Sequence, residues 1–201
     1  MIIIDRPYIS DFLKNSLIKN QLPVLKTDLA KEMLGEGSYN YVDPDEVIRS
    51  ATEKEDFSIY TASENSIQWI ADNLHFTSLP ENINTFKDKI RFRDLTHQLF
   101  PNFFYKKISL SEVDSIDITK FPFPFIIKPA VGFFSMGVYK VNAPADWPGI
   151  AAAIKSDIET YQKIYPEQVL STRLLIAEEV IHGDEYAFDG YFDEKGKAVV
   201  L

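Results

Sequence analysis

The sequence predicts an α/β chain in which a small parallel sheet wound with helices precedes a second, strand-rich part. Three observations carry that expectation. Short apolar runs at Ile2 to Ile4, Leu22 to Leu25 and Phe57 to Tyr60 alternate with helical patterns over the first third of the chain. Strands separated by helices imply parallel pairing with helices on both faces. Further on the pattern changes to strand, loop, strand: Phe125 to Lys128, then a loop with Gly132, Ser135 and Gly137, then Val138 to Val141.

The elements follow in order. Ser10 stands before a helical run whose apolar face is Phe12, Leu13, Leu17 and Ile18, and is placed to cap it. Leu22 to Leu25 reads as the second strand, and Leu29 to Leu34 as a helix closed by Gly35. Pro44 opens a helix through Val47, Ile48 and Ala51. Phe57 to Tyr60 is the third strand, and Ser63 is expected to cap a helix carrying Ile67, Ile70, Ala71 and Leu74. No G-x-G-x-x-G follows the first strand, where the sequence is Asp5 to Tyr8, so no dinucleotide is expected there. Asp5-Arg6 and Glu64-Asn65 follow strands, at the edge where open α/β sheets bind ligands. They are candidates for substrate contact or plain caps and surface charges. Asn84 to Phe100 reads as one linking helix, with Phe86, Ile90, Leu95 and Leu99 apolar. Phe103 to Ser109 and Phe125 to Lys128 bracket an acidic loop, Ser111 to Lys120. Ala145 to Tyr165 is an amphipathic helix with Trp147, Ile150, Ile154, Ile158 and Tyr161 on one stripe, a core pattern.

Composition narrows the function classes. In 201 residues, 30 acidic side chains against 21 basic ones give a net charge of −9, which disfavours nucleic acid and anionic membrane as partners. A hydrophobic fraction of 45% is enough for globular cores. There is no cysteine, so disulfides, thiolate nucleophiles and cysteine-ligated metals are excluded, and a cytoplasmic protein is expected. The apolar run at the N-terminus is too short for a signal peptide, and no segment reaches the ~18–20 apolar residues that span a bilayer. His75, His97 and His182 lack metal-ligand spacing, and no G-x-S-x-G elbow supports a serine hydrolase.

Phe125, Ile126 and Ile127 predict a strand covered on both faces, and Lys128 follows at once. An unpaired ammonium there would be costly, which points to an anion for it to meet. The glycine-bearing loop offers backbone N–H groups and the Ser135 hydroxyl, a phosphate-cradling combination. It is not a P-loop, where the lysine comes after the glycines and a helix follows. An ordinary hairpin with a snorkelling lysine is the alternative. A second segment, Leu174 to Phe192, is a strand ending in Glu178 and Glu179, a turn with Gly183, then Glu185 and another strand. That turn can aim Glu178 and Glu185 at one ligand, with the main chain of Glu179, Val180 and Ile181 between them, a set suited to adenine and ribose. Asp189-Gly190 can reach the same ligand or form a turn or bulge.

Together these segments resemble the ATP-grasp superfamily, with spacing similar to the D-alanine–D-alanine ligase branch, over roughly Thr85 to Leu201. The resemblance implies a small Rossmann-like, parallel-sheet pre-ATP-grasp domain over residues 1–82. After it would come the N-terminal part of an ATP-grasp α+β domain over residues 83–201, with an antiparallel sheet and helices. It implies that Lys128 contacts the ATP phosphates, with Pro129 to Gly137, including Gly132 and Ser135, as the mobile lid. Lys89, in the helix start Asp88-Lys89-Ile90-Arg91-Phe92-Arg93, is a second phosphate contact. Ile126 would pack on adenine, Glu178 and Glu179 would meet its amino group, the main chain at Val180 or Ile181 would complete the ring contacts, and Glu185 would take the ribose. Phe133 and Phe134 depart from the family, which commonly has smaller residues there.

The activity so implied is an ATP-dependent carboxylate–amine or carboxylate–thiol ligase working through an acylphosphate. ATP and Mg²⁺ are the cofactors, and a small carboxylate and an amine or thiol acceptor are the substrates. An oligomer is compatible with the sequence; nucleic acid and membrane are not expected. The strand running from Gly196 to Leu201 suggests the front part of a longer enzyme, with catalytic and metal-binding residues beyond Leu201 and no complete catalysis by this chain alone. A non-catalytic nucleotide-binding or interaction module is the second reading, and an α/β sugar- or amino-acid-binding domain the third.

Overall fold

Two adjacent isoleucines set the first sheet. β1 (Ile2–Ile3) pairs in parallel with β2 (Pro23–Leu25) on one side and β4 (Tyr60–Thr61) on the other, and β3 (Asn40–Val42) extends the β2 edge. The order is β3-β2-β1-β4. Alternation sends successive side chains to opposite faces. Ile3 and Leu25 bury against Val47 and Ala51 of α3 (Pro44–Glu53) and Ile70 of α4 (Ser66–Asn73). Ile4 and Val24 bury against Leu17 of α1 (Asp11–Lys19) and Ala30 and Leu34 of α2 (Asp28–Leu34). The sheet is therefore covered on both faces, as its apolar runs demand. The computed structural model describes residues 1–54, 57–132, 135–161, 173–193, 195 and 197–200. Phe133, Phe134, the expected helix continuation through Tyr165, Gly196 and Leu201 lie outside the described residues.

The helix starts obey local chemistry. Ser10 Oγ accepts from the Leu13 N–H at 3.2 Å, and Thr27 Oγ1 from the Ala30 N–H at 2.9 Å. Gly35, with φ +70°, closes α2. Several expectations are corrected. β3 was not anticipated, because a short, half-exposed edge strand beginning with Asn40 carries no apolar run. The third strand is Tyr60–Thr61 rather than Phe57 to Tyr60, since a two-residue β1 can pair only two partners. Phe57 and Ile59 still pack against the core. Phe12 is 82% exposed, the inward stripe being Leu13 and Leu17. Ser63 caps no helix; it donates to the Arg6 carbonyl and accepts from the Asn65 N–H.

The linking segment is two helices, α5 (Leu79–Lys87) and α6 (Lys89–Thr96), broken at Asp88. Asp88 has extended backbone and its carboxylate accepts from the Ile90 N–H at 2.8 Å, so the residue that would continue one helix instead caps the next.

β5 (Tyr105–Ser109), β6 (Phe125–Pro129), β7 (Tyr139–Val141) and β8 (Leu174–Glu179) form a fully antiparallel sheet in the order β5-β8-β6-β7. One face, with Phe125, Ile127, Val141, Leu175 and Ala177, packs under Trp147, Ala151, Ile154 and Ile158 of α7 (Trp147–Tyr161). The other face carries Ile176 against Ile90 of α6 and Ala130. β6 is thus not sealed on both sides as its apolar triplet suggested: Phe125, Ile127 and Pro129 are buried, while Ile126 and Lys128 are half-buried. β9 (Gly190–Phe192) and β10 (Ala198–Val200) make a separate hairpin. A Cβ at Gly190 would sit 2.9 Å from the Val199 carbonyl, so Asp189-Gly190 leads into close strand pairing. Among the described residues no helix is long and apolar enough to cross a membrane.

Candidate functional site

The half-open face of the antiparallel sheet gathers the chemistry. Register places Ile126 opposite Glu178 and Lys128 opposite Ile176, so these four side chains share the face toward α6. On α6, Lys89 and Arg93 are four residues apart and therefore on one side of the helix. The main chain locks the two elements together: the Lys89 N–H donates to the Ala130 carbonyl at 2.9 Å, and the Ala130 N–H to the Leu174 carbonyl at 2.9 Å.

Between α6 and β6 lies a cavity of about 240 Å³. Lys89, Lys128, Gly132 and Ser135 line it, with Pro129, Met136 and Val138 as apolar wall. The loop turns sharply here, with Ser135 at φ +56° and Gly137 at φ +66°. Left-handed backbone is uncommon for a residue other than glycine. The Lys89 Nζ donates to the Gly132 carbonyl at 3.3 Å. Burial, then repulsion from Lys128, holds its pKa below the usual lysine value.

Glu178 is the one charged residue among the buried polar side chains, at 3% exposure among those described. Its Oε1 accepts from Arg93 Nε at 2.5 Å, and its Oε2 pairs with Lys128 Nζ. Burial pushes the Glu178 pKa up, but the hydrogen bonds and charges of Lys128 and Arg93 outweigh that and hold it below the usual carboxylate value. The Arg93 guanidinium also stacks 4.2 Å from the centre of the Phe103 ring. Three cations (Lys89, Lys128, Arg93) thus surround one carboxylate, 3 − 1 = 2 positive charges among these groups, in a chain of net charge −9. The arrangement can hold a polyanion.

Other candidates lie elsewhere. Glu179 occupies the alternate position to Glu178, and its N–H donates to the Phe104 carbonyl at 3.1 Å. Val180 is half-buried, whereas Ile181, His182 and Glu185 lie in an exposed stretch and do not line the cavity. Asp5, Arg6, Glu64 and Asn65 form one cluster at the edge of the parallel sheet. The Asp5 carboxylate accepts from the Arg6 N–H, Asn65 Nδ2 donates to the Arg6 carbonyl, Arg6 pairs with Glu32 at 3.6 Å, and Glu64 pairs with Lys87. A larger cavity of about 590 Å³ near Lys54 and Phe76 gathers no comparable charge, so chemistry rather than size selects the lysine cleft. Among the described residues no group of three or more His, Cys, Asp or Glu side chains could hold a metal ion.

Arg93 is the functional candidate that sequence reasoning missed. It stands inside the quoted Asp88 to Arg93 motif but was given no role; its four-residue spacing from Lys89 was the available signal.

Residues 121–201 match the family model of the ATP-grasp domain. Among solved structures, the chain is similar along its whole length to an L-amino acid ligase from Bacillus licheniformis, at 17% identity and a TM-score of 0.60, covering 100% of this chain and 50% of that one. A D-alanine–D-alanine ligase from Helicobacter pylori matches at 16% identity and a TM-score of 0.33, over 57% of this chain and 31% of that one. No curated protein matches the chain. The chain spans half the length of the L-amino acid ligase. Its fold, a parallel four-stranded sheet followed by an antiparallel one with helices, is the α/β fold of that ligase and the class that the sequence predicted.

Proposed function

We propose that this chain, ATP-grasp in its residues 121–201, is the ATP-binding portion of an ATP-dependent carboxylate–amine or carboxylate–thiol ligase. The observation that carries the reading is the convergence of Lys89 with Lys128, Gly132 and Ser135 on one cavity, a helix start meeting a strand and its following loop that lie well downstream in sequence. Residues 1–82 would be the front domain and 83–201 the start of the nucleotide-binding domain.

In this reading Lys89 and Lys128 neutralise phosphate charge, and the Gly132 amide and the Ser135 hydroxyl hold its oxygens. Ile126 supplies the floor for adenine. Glu178 accepts from the adenine amino group, with the main chain of Glu179, Val180 and Ile181 along the ring edge, and Glu185 takes the ribose hydroxyls. Phosphoryl transfer to a substrate carboxylate oxygen gives ADP and an acylphosphate. Attack of the amine or thiol on the acyl carbon then expels inorganic phosphate. Closure of the loop keeps water from the acylphosphate. Magnesium, if bound with ATP, would supply further neutralisation of the phosphate charge, and the described residues form no group that fits it.

A nucleotide-binding module without chemistry is the second reading. Carboxylate-dependent release of ADP by the protein would exclude it.

The deciding experiment is the thermal midpoint of the chain with Mg-ATP, beside Lys128→Met. Ligand at 100 times its dissociation constant adds about 2.7 kcal/mol, worth roughly 5–10 °C at this size. A rise abolished in the variant supports the assignment. A folded chain with no rise removes ATP from this cleft.

A further inference from the structure

Glu178 meets two cations, yet a buried carboxylate needs only one to offset its charge. One of them, Lys128, lines the phosphate cavity; the other, Arg93, does not. We infer that Arg93 is the standing counter-ion of Glu178 and Lys128 the exchangeable one, handed from Glu178 to the nucleotide phosphates when ATP binds. The inference rests on the ATP reading above and assigns Arg93 as a positioning residue that touches no part of the nucleotide.

Geometry separates the two partners. Arg93 is fixed at three points: Nε to Glu178 Oε1 at 2.5 Å, the guanidinium on the Phe103 ring at 4.2 Å, and a helix whose first N–H is bonded to Ala130. Guanidinium keeps its charge and its planar fork is pre-organised. Lys128 instead sits on a flexible stem at the cavity wall, with its ammonium between Glu178 and the open volume. Removing one partner of a buried pair is costly because the other charge is left uncompensated. With Arg93 in place, Lys128 can swing toward a phosphate without stranding Glu178. With Arg93 gone, Lys128 becomes its remaining hydrogen-bonded cation and leaving is penalised.

The carboxylate itself gains from the arrangement. Each oxygen has two acceptor positions, and Arg93 and Lys128 take one on each. Acceptor capacity remains for the exocyclic amine of adenine, whereas the 6-oxo group of guanine would face a carboxylate.

Calorimetric titration with magnesium triphosphate, Mg-ATP and Mg-GTP tests the hand-off. Arg93→Met should weaken triphosphate and Mg-ATP together by about tenfold or more, and Arg93→Lys should restore most of the affinity. Adding Glu178→Gln to Arg93→Met should bring triphosphate binding back near the wild-type level, because a neutral amide no longer retains Lys128, while the preference for ATP over GTP falls. A folded Arg93→Met with unchanged triphosphate affinity overturns the inference, as does a double variant as weak as the single one. If Arg93→Met does not fold, the double variant, which buries no uncompensated carboxylate, is read against wild type: triphosphate affinity near the wild-type level agrees with the hand-off, and a loss of about tenfold or more overturns it. Wild-type protein that binds neither triphosphate nor Mg-ATP overturns the ATP reading itself, and the hand-off with it.

Discussion

Arg93 Nε and Glu178 Oε1 lie 2.5 Å apart although 85 residues separate them in the chain. This pair joins the helix that carries one cavity lysine to the strand beside the other. Arg93→Met removes a charge-assisted hydrogen bond to a buried acceptor, a loss of about 1.5–3 kcal/mol. The urea midpoint should fall accordingly. An unchanged midpoint would mean that the pair does not form in solution.

Acid sensitivity should concentrate at the same carboxylate. The folded-state pKa of Glu178 lies below its ordinary value of 4.5. Its contribution is therefore complete above that value and lost as pH falls through the lower folded value. Glu178→Gln should be less stable than wild type at about pH 7, and the gap should close toward about pH 3. Urea midpoints across that range check the sign; a gap that widens on acidification refutes it.

Lys89 should trade stability for binding. Burial and the neighbouring Lys128 lower its pKa, so its charged form is disfavoured in the folded chain. That penalty is present at neutral pH and fades only as pH rises toward the ordinary lysine value of 10.5. Lys89→Met should leave the ligand-free melting temperature unchanged or higher while weakening Mg-ATP roughly tenfold to a hundredfold. A lower melting temperature with unaltered affinity would contradict both parts.

Asp88 makes a sharper local prediction. Asp88→Ala deletes the acceptor for the Ile90 N–H and with it the cap of α6, a cost of about 1 kcal/mol. The loss should appear in the urea midpoint, and Asp88→Asn or Asp88→Ser should recover most of it. Equal losses for all three would show that the side chain caps nothing.

The parts of this molecule that could be read from sequence are those governed by neighbours in sequence. The Ser10 cap, the Pro44 start and the Gly35 stop are local and appear as expected, and the Ile2 to Ile4 run gives a strand over Ile2–Ile3. The strand bearing Lys128 and the loop bearing Gly132 and Ser135 also follow in the order read from the sequence, although the strand is open on the face toward α6. β3 escaped because a half-exposed edge strand needs no apolar run, and the break at Asp88 because the surrounding pattern stays helical across it. The Arg93–Glu178 pair escaped because it is a product of tertiary packing. Glu178 read as a carboxylate facing outward to a ligand; the fold buries it between two cations first.

The Lys89 N–H bond to the Ala130 carbonyl has a consequence for redesign. Because both partners are backbone atoms, the bond does not depend on the side chain at residue 89, with one exception. Proline is welcome in the first turn of a helix, but at residue 89 it would delete the donor that moors α6 to the loop. Substitutions at residue 89 that test its charge therefore leave this mooring in place, and proline, which helix rules favour there, is the one to omit.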